Sequence, residues 1–446
     1  MSRHGLSSTP RTPHPLAVAL SVKTLIVVGG GLAAALAFVD APVPAPADFA
    51  LLAHVTGFLA GYVVAVMVVL MSRAPFLERM VGADRLSRWH TRGGRVFILL
   101  MSIHAVDAVQ SWAVGHDVDL IAATTALLEL PGLAAATAGS VLFGMIAIVS
   151  VRIARRRMSY EAWHGIHLLT YVALALSFAH ELAGPNLAGE PALQIAWSLL
   201  FVYSLGLALR YRLIKPLEHA WRHRLRIERL VPEANGVMSI VLRGRHIDEL
   251  SVEAGQFFRW RFLTVGAWRS AHPFSLSAPP SGDLLRITVK ALGSGTRFLH
   301  SVRPGTFVIA EGPYGALTAR RRTTESVLLI AGGVGITPMR VLFEELEVGD
   351  GALTLLYRAS SPADVIFRDE LEEVARLRGA TIVWMIGRSS RPENQMTGAN
   401  LVRMVPDVAQ RDVYICASPG LSGAVRTGLI VVGHPVARLH EEVFEF

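Results

Sequence analysis

The chain has one cysteine, Cys416, among 446 residues. That scarcity excludes an intramolecular disulfide and any cysteine-held metal cluster, so redox chemistry here needs bound cofactors. Charge is scarce as well: 17% of residues are charged and 52% are hydrophobic, with a mean hydropathy of +0.43. A soluble protein of this length is less apolar, so part of the chain belongs in a membrane. Three stretches, 40–49, 114–132 and 182–190, contain no lysine or arginine although the net charge is +8. A basic excess invites a nucleic-acid reading until its residues are located.

They are located between apolar blocks near 16–39, 50–72, 90–113, 133–151, 160–181 and 191–211. Each is about 20 residues, the length that crosses about 30 Å of hydrocarbon at 1.5 Å per residue. The first is longer than a cleavable signal core and five more follow, so it is read as a helix whose Lys23 snorkels to the headgroups. Arg73, Arg79, Arg85, Arg88, Arg92 and Arg95 follow the second block, and Arg152, Arg155, Arg156 and Arg157 follow the fourth. Arg210, Arg212 and Lys215 mark the last exit. The positive-inside bias puts these connections and both termini on the cytoplasmic face of the plasma (inner) membrane. The basic balance then reports orientation in a lipid bilayer, with no nucleic-acid partner.

Ionisable residues inside a membrane are functional candidates. The third block carries His90 and His104, fourteen residues apart, and the fifth carries His167 and His180, thirteen apart. At 1.5 Å per residue the separations are about 21 and 20 Å, two matched depths on helices running the same way. Any one of them is as readily a hydrogen-bonding residue between helices. As a set they accommodate two bis-His haems, His90 with His167 inside and His104 with His180 outside. A spacing of fourteen keeps both histidines within about 40° of one face, whereas thirteen leaves about 140°. The fifth helix is therefore expected to tilt, bend or become irregular between them. His164 competes with His167. Arg85, Arg88, Arg92 and Arg95 suit the inner haem propionates; outside, either His54 and His116 substitute or they are interfacial histidines without a task.

This histidine pattern resembles the ferric reductase transmembrane domain shared by NADPH oxidases, ferric reductases and their bacterial relatives. The resemblance implies that the thirteen-residue spacing binds haem.

Beyond Lys215 the hydropathy falls, and alternating runs at Leu225 to Leu230 and Val237 to Leu242 predict antiparallel strands. His272-Pro273-Phe274-Ser275 resembles the flavin motif of the ferredoxin reductase superfamily, in its oxidase and ferric reductase form. Phe274 can stack on an isoalloxazine ring, Ser275 can hydrogen-bond its reactive edge, and His272 can approach the pyrophosphate. Lys290 leads into Gly293-Ser294-Gly295-Thr296, a small-residue turn suited to a diphosphate. Gly312-Pro313-Tyr314-Gly315 matches the family's closing turn.

From Ser326, strands and helices alternate as in a parallel sheet. Gly332-Gly333-Val334-Gly335-Ile336-Thr337-Pro338 follows the first strand, with a helix from Met339; glycines there admit a diphosphate near a helix start. After the next strand come Arg358 and Ser360 with no acid for a ribose diol; helped by Arg388, they favour NADPH over NADH. Cys416-Ala417-Ser418-Pro419 resembles the family's Cys-Gly-x-Pro, whose cysteine lies beside the nicotinamide, with Ala417 departing from it. The terminal Phe446 resembles the ring that shields the flavin.

The expected architecture is a six-helix all-α transmembrane bundle with two b-type haems (1–215), an antiparallel β-barrel FAD domain (216–322) and an α/β Rossmann-like NAD(P)H domain (323–446). A hydride carries two electrons and a bis-His haem accepts one, so a flavin must stand between them. The implied route ends on an extracytoplasmic acceptor: oxygen, a ferric chelate, or a redox partner protein or quinone. A rival of another class is a haem-binding membrane sensor with a degenerate reductase lobe.

Overall fold

The computed structural model describes residues 15–38, 48–151 and 157–443. Arg152, Arg155, Arg156 and Phe446 lie outside the described residues. The chain divides into two compact units that meet between Leu213 and Ile214.

The first unit holds six helices long and apolar enough to cross a membrane: Ala19–Phe38, Phe49–Leu70, Arg85–His116, Leu133–Ser150, Ala162–Ala183 and Pro191–His223, the last running on into the second unit. Small residues let them approach closely, as membrane helices require. A Cβ on Gly139 would lie 2.6 Å from Ser177 Oγ, and one on Gly29 would lie 2.2 Å from the Tyr62 hydroxyl. That hydroxyl donates to the Ile26 carbonyl at 3.1 Å. Lys23 reaches the Trp89 ring, 5.3 Å from its centre, a cation–π contact that supplements snorkelling.

Two local features differ from the simplest reading. Within the connection 114–132, Leu120–Glu129 forms an apolar helix, started by Asp119 accepting from the N–H groups of Ile121 and Ala122 at 2.8 Å. Ten residues are too few to span, so its pattern reads as loop. The fifth span is two helices, Tyr160–Leu168 and Thr170–Ala183, meeting at Leu169. The Leu169 N–H donates to the Ile166 carbonyl, three residues back, at 3.0 Å, and Thr170 Oγ1 donates to the His167 carbonyl at 2.8 Å. This tightened turn is the irregularity that the thirteen-residue spacing demands.

The second unit begins with six strands: β1 (Arg226–Ala234), β2 (Val237–Arg243), β3 (Phe257–Phe262), β4 (His272–Ser275), β5 (Leu284–Lys290) and β6 (Val308–Tyr314). They form two three-stranded antiparallel sheets, β1-β2-β5 and β4-β3-β6. Single bridges at Arg226–Phe307 and Leu276–Ile287 join their edges, so the expected barrel is two sheets around one core. Alternation in β3 sends Phe258, Trp260 and Phe262 inward, all fully buried.

Five strands follow: β7 (Val327–Gly332), β8 (Leu353–Ala359), β9 (Thr381–Ile386), β10 (Asp412–Ala417) and β11 (Leu439–Val443). All are parallel, in the order β11-β10-β7-β8-β9. The order reverses between β7 and β10, and the crevice at their carboxyl ends is where such sheets bind ligands.

At the opposite end of the sheet, Asp412 accepts from the N–H groups of Thr323 and Thr324, both at 2.6 Å, and from His440 Nε2 at 2.9 Å. Burial opposes its charge, but the hydrogen bonds from His440, Thr323 and Thr324 win and hold the carboxyl down to about 2. A folded pKa below the unfolded value of about 4 stabilises the fold above that pH, and the contribution is lost as pH falls toward about 2. Asp412→Asn is expected to lower stability at neutral pH by about 2 kcal/mol and to flatten the acid limb of a denaturation-midpoint curve. An unchanged acid limb would contradict this.

Candidate redox site

In the first unit the ring centres of His90 and His167 stand 6.0 Å apart, and those of His104 and His180 stand 6.2 Å apart. An imidazole nitrogen bonds a metal at about 2.0 Å and sits about 1.1 Å from its ring centre, so two imidazoles on opposite sides of one metal would place their ring centres about 6.2 Å apart. Both pairs have that spacing. Two imidazoles at that spacing suit a metal whose remaining ligands come from a macrocycle, as in a haem.

In His90, His104 and His180 the Nδ1 nitrogen is occupied. His90 Nδ1 faces the Met67 carbonyl at 3.3 Å, His104 Nδ1 the Ala53 carbonyl at 2.8 Å, and His180 Nδ1 the Ser177 carbonyl. A proton held at Nδ1 by a carbonyl leaves Nε2 as the ligating atom. Gly57 makes room for this, since a Cβ there would meet His104 Nδ1 at 2.9 Å. His167 is the fifth-span histidine that faces His90, and the Trp163 ring stacks on it at 5.2 Å and 23°. Trp163 Nε1 donates to Ser150 Oγ at 3.3 Å, which ties the stack to the fourth span.

Sequence reasoning missed Trp163, although it precedes His167 by one helical turn. It also passed over two acids near the outer pair. Asp107, one turn beyond His104, is buried, and its Oδ2 has no partner among the described residues. Glu181, next to His180, accepts from Trp197 Nε1 at 2.8 Å. Their signal was present, as carboxylates inside apolar spans. Outside the bundle, His116 is exposed, stacked on Trp112 at 4.1 Å and bonded to its carbonyl.

In the second unit the flavin motif occupies β4. His272 stacks on Phe274 at 6.1 Å and 15°, and the Phe274 carbonyl accepts from Trp260 Nε1 at 2.8 Å. Pro273 is exposed, whereas Ser275 is buried with its Oγ lacking a partner among the described residues. A buried hydroxyl without a partner fits a cofactor that supplies one. Lys290 ends β5, and the turn after it folds onto His272: a Cβ on Gly295 would lie 2.9 Å from the His272 ring. The N–H groups of Leu292 and Gly293 donate to Thr296 Oγ1 at 2.9 Å, so the turn offers a phosphate only the N–H groups from Ser294 onward.

At the sheet crevice the glycines have separate reasons. Gly333 has φ +54° and open space around it; a Cβ on Gly335 would sit 2.0 Å from the Cys416 carbonyl oxygen. A Cβ on Gly332 would meet Leu421 at 2.5 Å and the Ala417 Cβ at 3.0 Å. Ala417 thus fills space that its neighbour vacates. The helix starts at Ile336, three residues before Met339, with Pro338 in its first turn, where no N–H is missed, and Thr337 Oγ1 bonded to the Val334 carbonyl. Cys416 is fully buried, and burial together with the Glu442 charge pushes its thiol up. Glu442 Oε1 lies 3.5 Å from a Cβ built on Gly315. Cys416, Glu442 and the Gly315 turn therefore meet, and Glu442 was not among the residues singled out from the sequence.

Arg358 is buried, its guanidinium donating to the carbonyls of Ala359 and, at 3.3 Å, Met385, and burial lowers its pKa. Ser360 and Arg388 are exposed, just beyond the carboxyl ends of β8 and β9.

Residues 56–178 match the ferric reductase like transmembrane component family, and residues 329–427 match the oxidoreductase NAD-binding domain family. The stachydrine N-demethylase reductase subunit Stc4 of Rhizobium meliloti is 31% identical over 226 residues, which cover 48% of this chain and 64% of that subunit. A flavohemoprotein of Xylella fastidiosa is 26% identical over 322 residues, 68% of this chain and 79% of that protein. Among solved structures, the FAD/NAD-binding domain of the nitric oxide dioxygenase from Vibrio cholerae O1 biovar El Tor aligns with 49% of this chain and 98% of its own, at 24% identity and TM-score 0.40. The chain is an integral membrane oxidoreductase that joins a ferric reductase-like transmembrane segment to an oxidoreductase NAD-binding segment.

Proposed function

We propose that this chain passes electrons from cytoplasmic NADPH, through FAD and two bis-His b-type haems, to an acceptor on the far side of the membrane, with oxygen as the acceptor and superoxide as the product. The observation that carries the reading is the pair of facing imidazoles at 6.0 and 6.2 Å, on helices where fourteen and thirteen residues separate the two levels. Bound FAD turns a two-electron hydride into single electrons and haem iron carries them one at a time. The balance is one NADPH and two oxygen molecules to NADP⁺, a proton and two superoxide ions.

The chain's own residues divide the remaining work. His90, His104, His167 and His180 would hold the two haem irons. Phe274 and Ser275 orient the isoalloxazine, with His272 and the turn at Gly293 to Thr296 toward the pyrophosphate. Cys416 would line the nicotinamide position, and Arg358, Ser360 and Arg388 would bind the 2′-phosphate. Arginine-rich connections on the cytoplasmic side orient the bundle.

The test is an anaerobic NADPH addition followed by absorbance. Reduction of both haems supports the reading, and a chain that acts as a haem sensor would show none. Superoxide yield set against ferric-chelate turnover on the same sample then separates oxidase from metal reductase, and dominant chelate reduction would sink the oxygen assignment. Two substitutions probe single roles. Arg358→Ala is expected to raise KM for NADPH about tenfold or more while leaving that for NADH nearly unchanged; equal effects would refute the 2′-phosphate role. Trp163→Ala is expected to keep two haems per chain but shift the low-spin resonance of one, with Trp163→Phe restoring it.

A further inference from the structure

The two-sheet lobe of the second unit carries an exposed apolar cluster that the proposed redox route does not use. Between β3 and β4 the chain makes a turn whose tip residue, Val265, is 90% exposed, with Trp268 53% exposed and Leu263 also exposed. The turn is held firmly beneath: Ala267 is buried, and Gly266 lies over the Phe298 ring, to which a Cβ would come within 3.4 Å. The Leu263 N–H donates to the Phe307 carbonyl at 2.8 Å, which puts the exposed Phe307 ring beside the turn. Water therefore faces a rigid apolar tip, and a fold does not gain from presenting one without a partner.

The charges around the tip that carry no ion pair among the described residues are of one sign. The segments 224–226, 261–271 and 303–309, which the bridge Arg226–Phe307 and the Leu263–Phe307 bond bring together, contain five arginines and no aspartate or glutamate. Arg226 lies over the Phe307 ring at 3.7 Å and Arg269 over the Trp268 ring at 5.1 Å. Arg261 is engaged by Glu311 at 3.3 Å, and the other four carry no ion pair among the described residues. Guanidinium groups ringing tryptophan and aliphatic tips match an anionic headgroup layer, in which tryptophan settles at the interface and arginine meets lipid phosphate. The chain is itself integral to a membrane, so that surface is at hand.

We propose that the Leu263 to Trp268 turn is a lipid-contacting element, inserting Val265 and Trp268 into the headgroup region of an anionic membrane. The test uses the full chain in nanodiscs of phosphatidylcholine with phosphatidylglycerol, carrying a nitroxide at V265C. Cys416 is fully buried, so the label goes to position 265. A second sample labelled at L377C, a residue 68% exposed on the parallel-sheet lobe, is the aqueous reference. Collisions with oxygen are expected to dominate over those with a water-soluble nickel complex at 265 but not at 377. Replacing phosphatidylglycerol by phosphatidylcholine, or adding R226E and R269E, is expected to move the 265 label toward the nickel complex. A label at 265 that behaves like the one at 377 would overturn the proposal, and so would one shielded from both reagents, which would mean a protein surface covers the turn.

Discussion

His104→Ala is expected to lower the haem content by one per chain, with NADPH-dependent flavin bleaching unchanged. The reason is the pairing geometry. His104 faces His180 at 6.2 Å, and its Nδ1 is held by the Ala53 carbonyl, so no other nitrogen of the third span can take its place without rebuilding the helix. His180→Ala should give the same loss from the opposite side, and the double variant should be no worse than either alone, because either substitution removes one of the two imidazoles that would hold that haem. The inner pair, about 21 Å away along the helix, keeps its haem. Haem-to-protein ratio by pyridine haemochrome reads the loss directly, and flavin absorbance reads the intact reductase half. A variant that retains two haems would remove the ligand assignment and the transmembrane route with it.

The second large effect is expected from Gly335→Ala. A methyl group there would sit 2.0 Å from the Cys416 carbonyl oxygen, which is backbone of the buried interior strand β10 and cannot swing aside. Separating them forces the glycine turn away from the strand end, at a cost of more than about 3 kcal/mol. Gly333→Ala is the informative contrast. Its surroundings are open and only its φ of +54° opposes a side chain, a penalty of about 1 kcal/mol. Gly335→Ala should abolish nicotinamide-dependent flavin reduction and lower the melting transition of the second unit, while haem content stays at two. Gly333→Ala should weaken nicotinamide binding with little change in melting. Equal and small effects at both positions would show that the turn is more pliable than its packing implies.

Much of this molecule is legible without coordinates, for physical reasons that differ by region. Apolar blocks near 20 residues announce themselves because lipid tolerates no unsatisfied backbone. The alternating runs at Leu225 to Leu230 and Val237 to Leu242 correspond to strands β1 and β2, with Ile227, Ile240 and Leu242 buried. Where the reading stopped short, the cause was contact between distant segments. Glu442 reaches the Gly315 turn across more than a hundred residues, and nothing near either position in the chain foretells it. Arg358 lies at the end of strand β8 with its Nη1 donating to the carbonyls of Ala359 and Met385, the latter on the neighbouring strand β9, a placement that the residues around it in the chain do not foretell. Leu120–Glu129 was read as loop because length alone separates a spanning helix from a short apolar one.

The order of residues by itself determined which segments enter lipid, which histidines share a depth, and where glycine-rich turns follow strands. These depend on hydropathy, helical rise and local steric freedom, all of which are properties of short stretches. Only the tertiary structure decided that the fifth span breaks at Leu169 and turns His180 toward His104, that Trp163 stacks on His167, and that Gly332 vacates the space Ala417 fills. Those outcomes depend on the distance and angle between elements far apart in the chain, and that geometry exists only once the elements have packed.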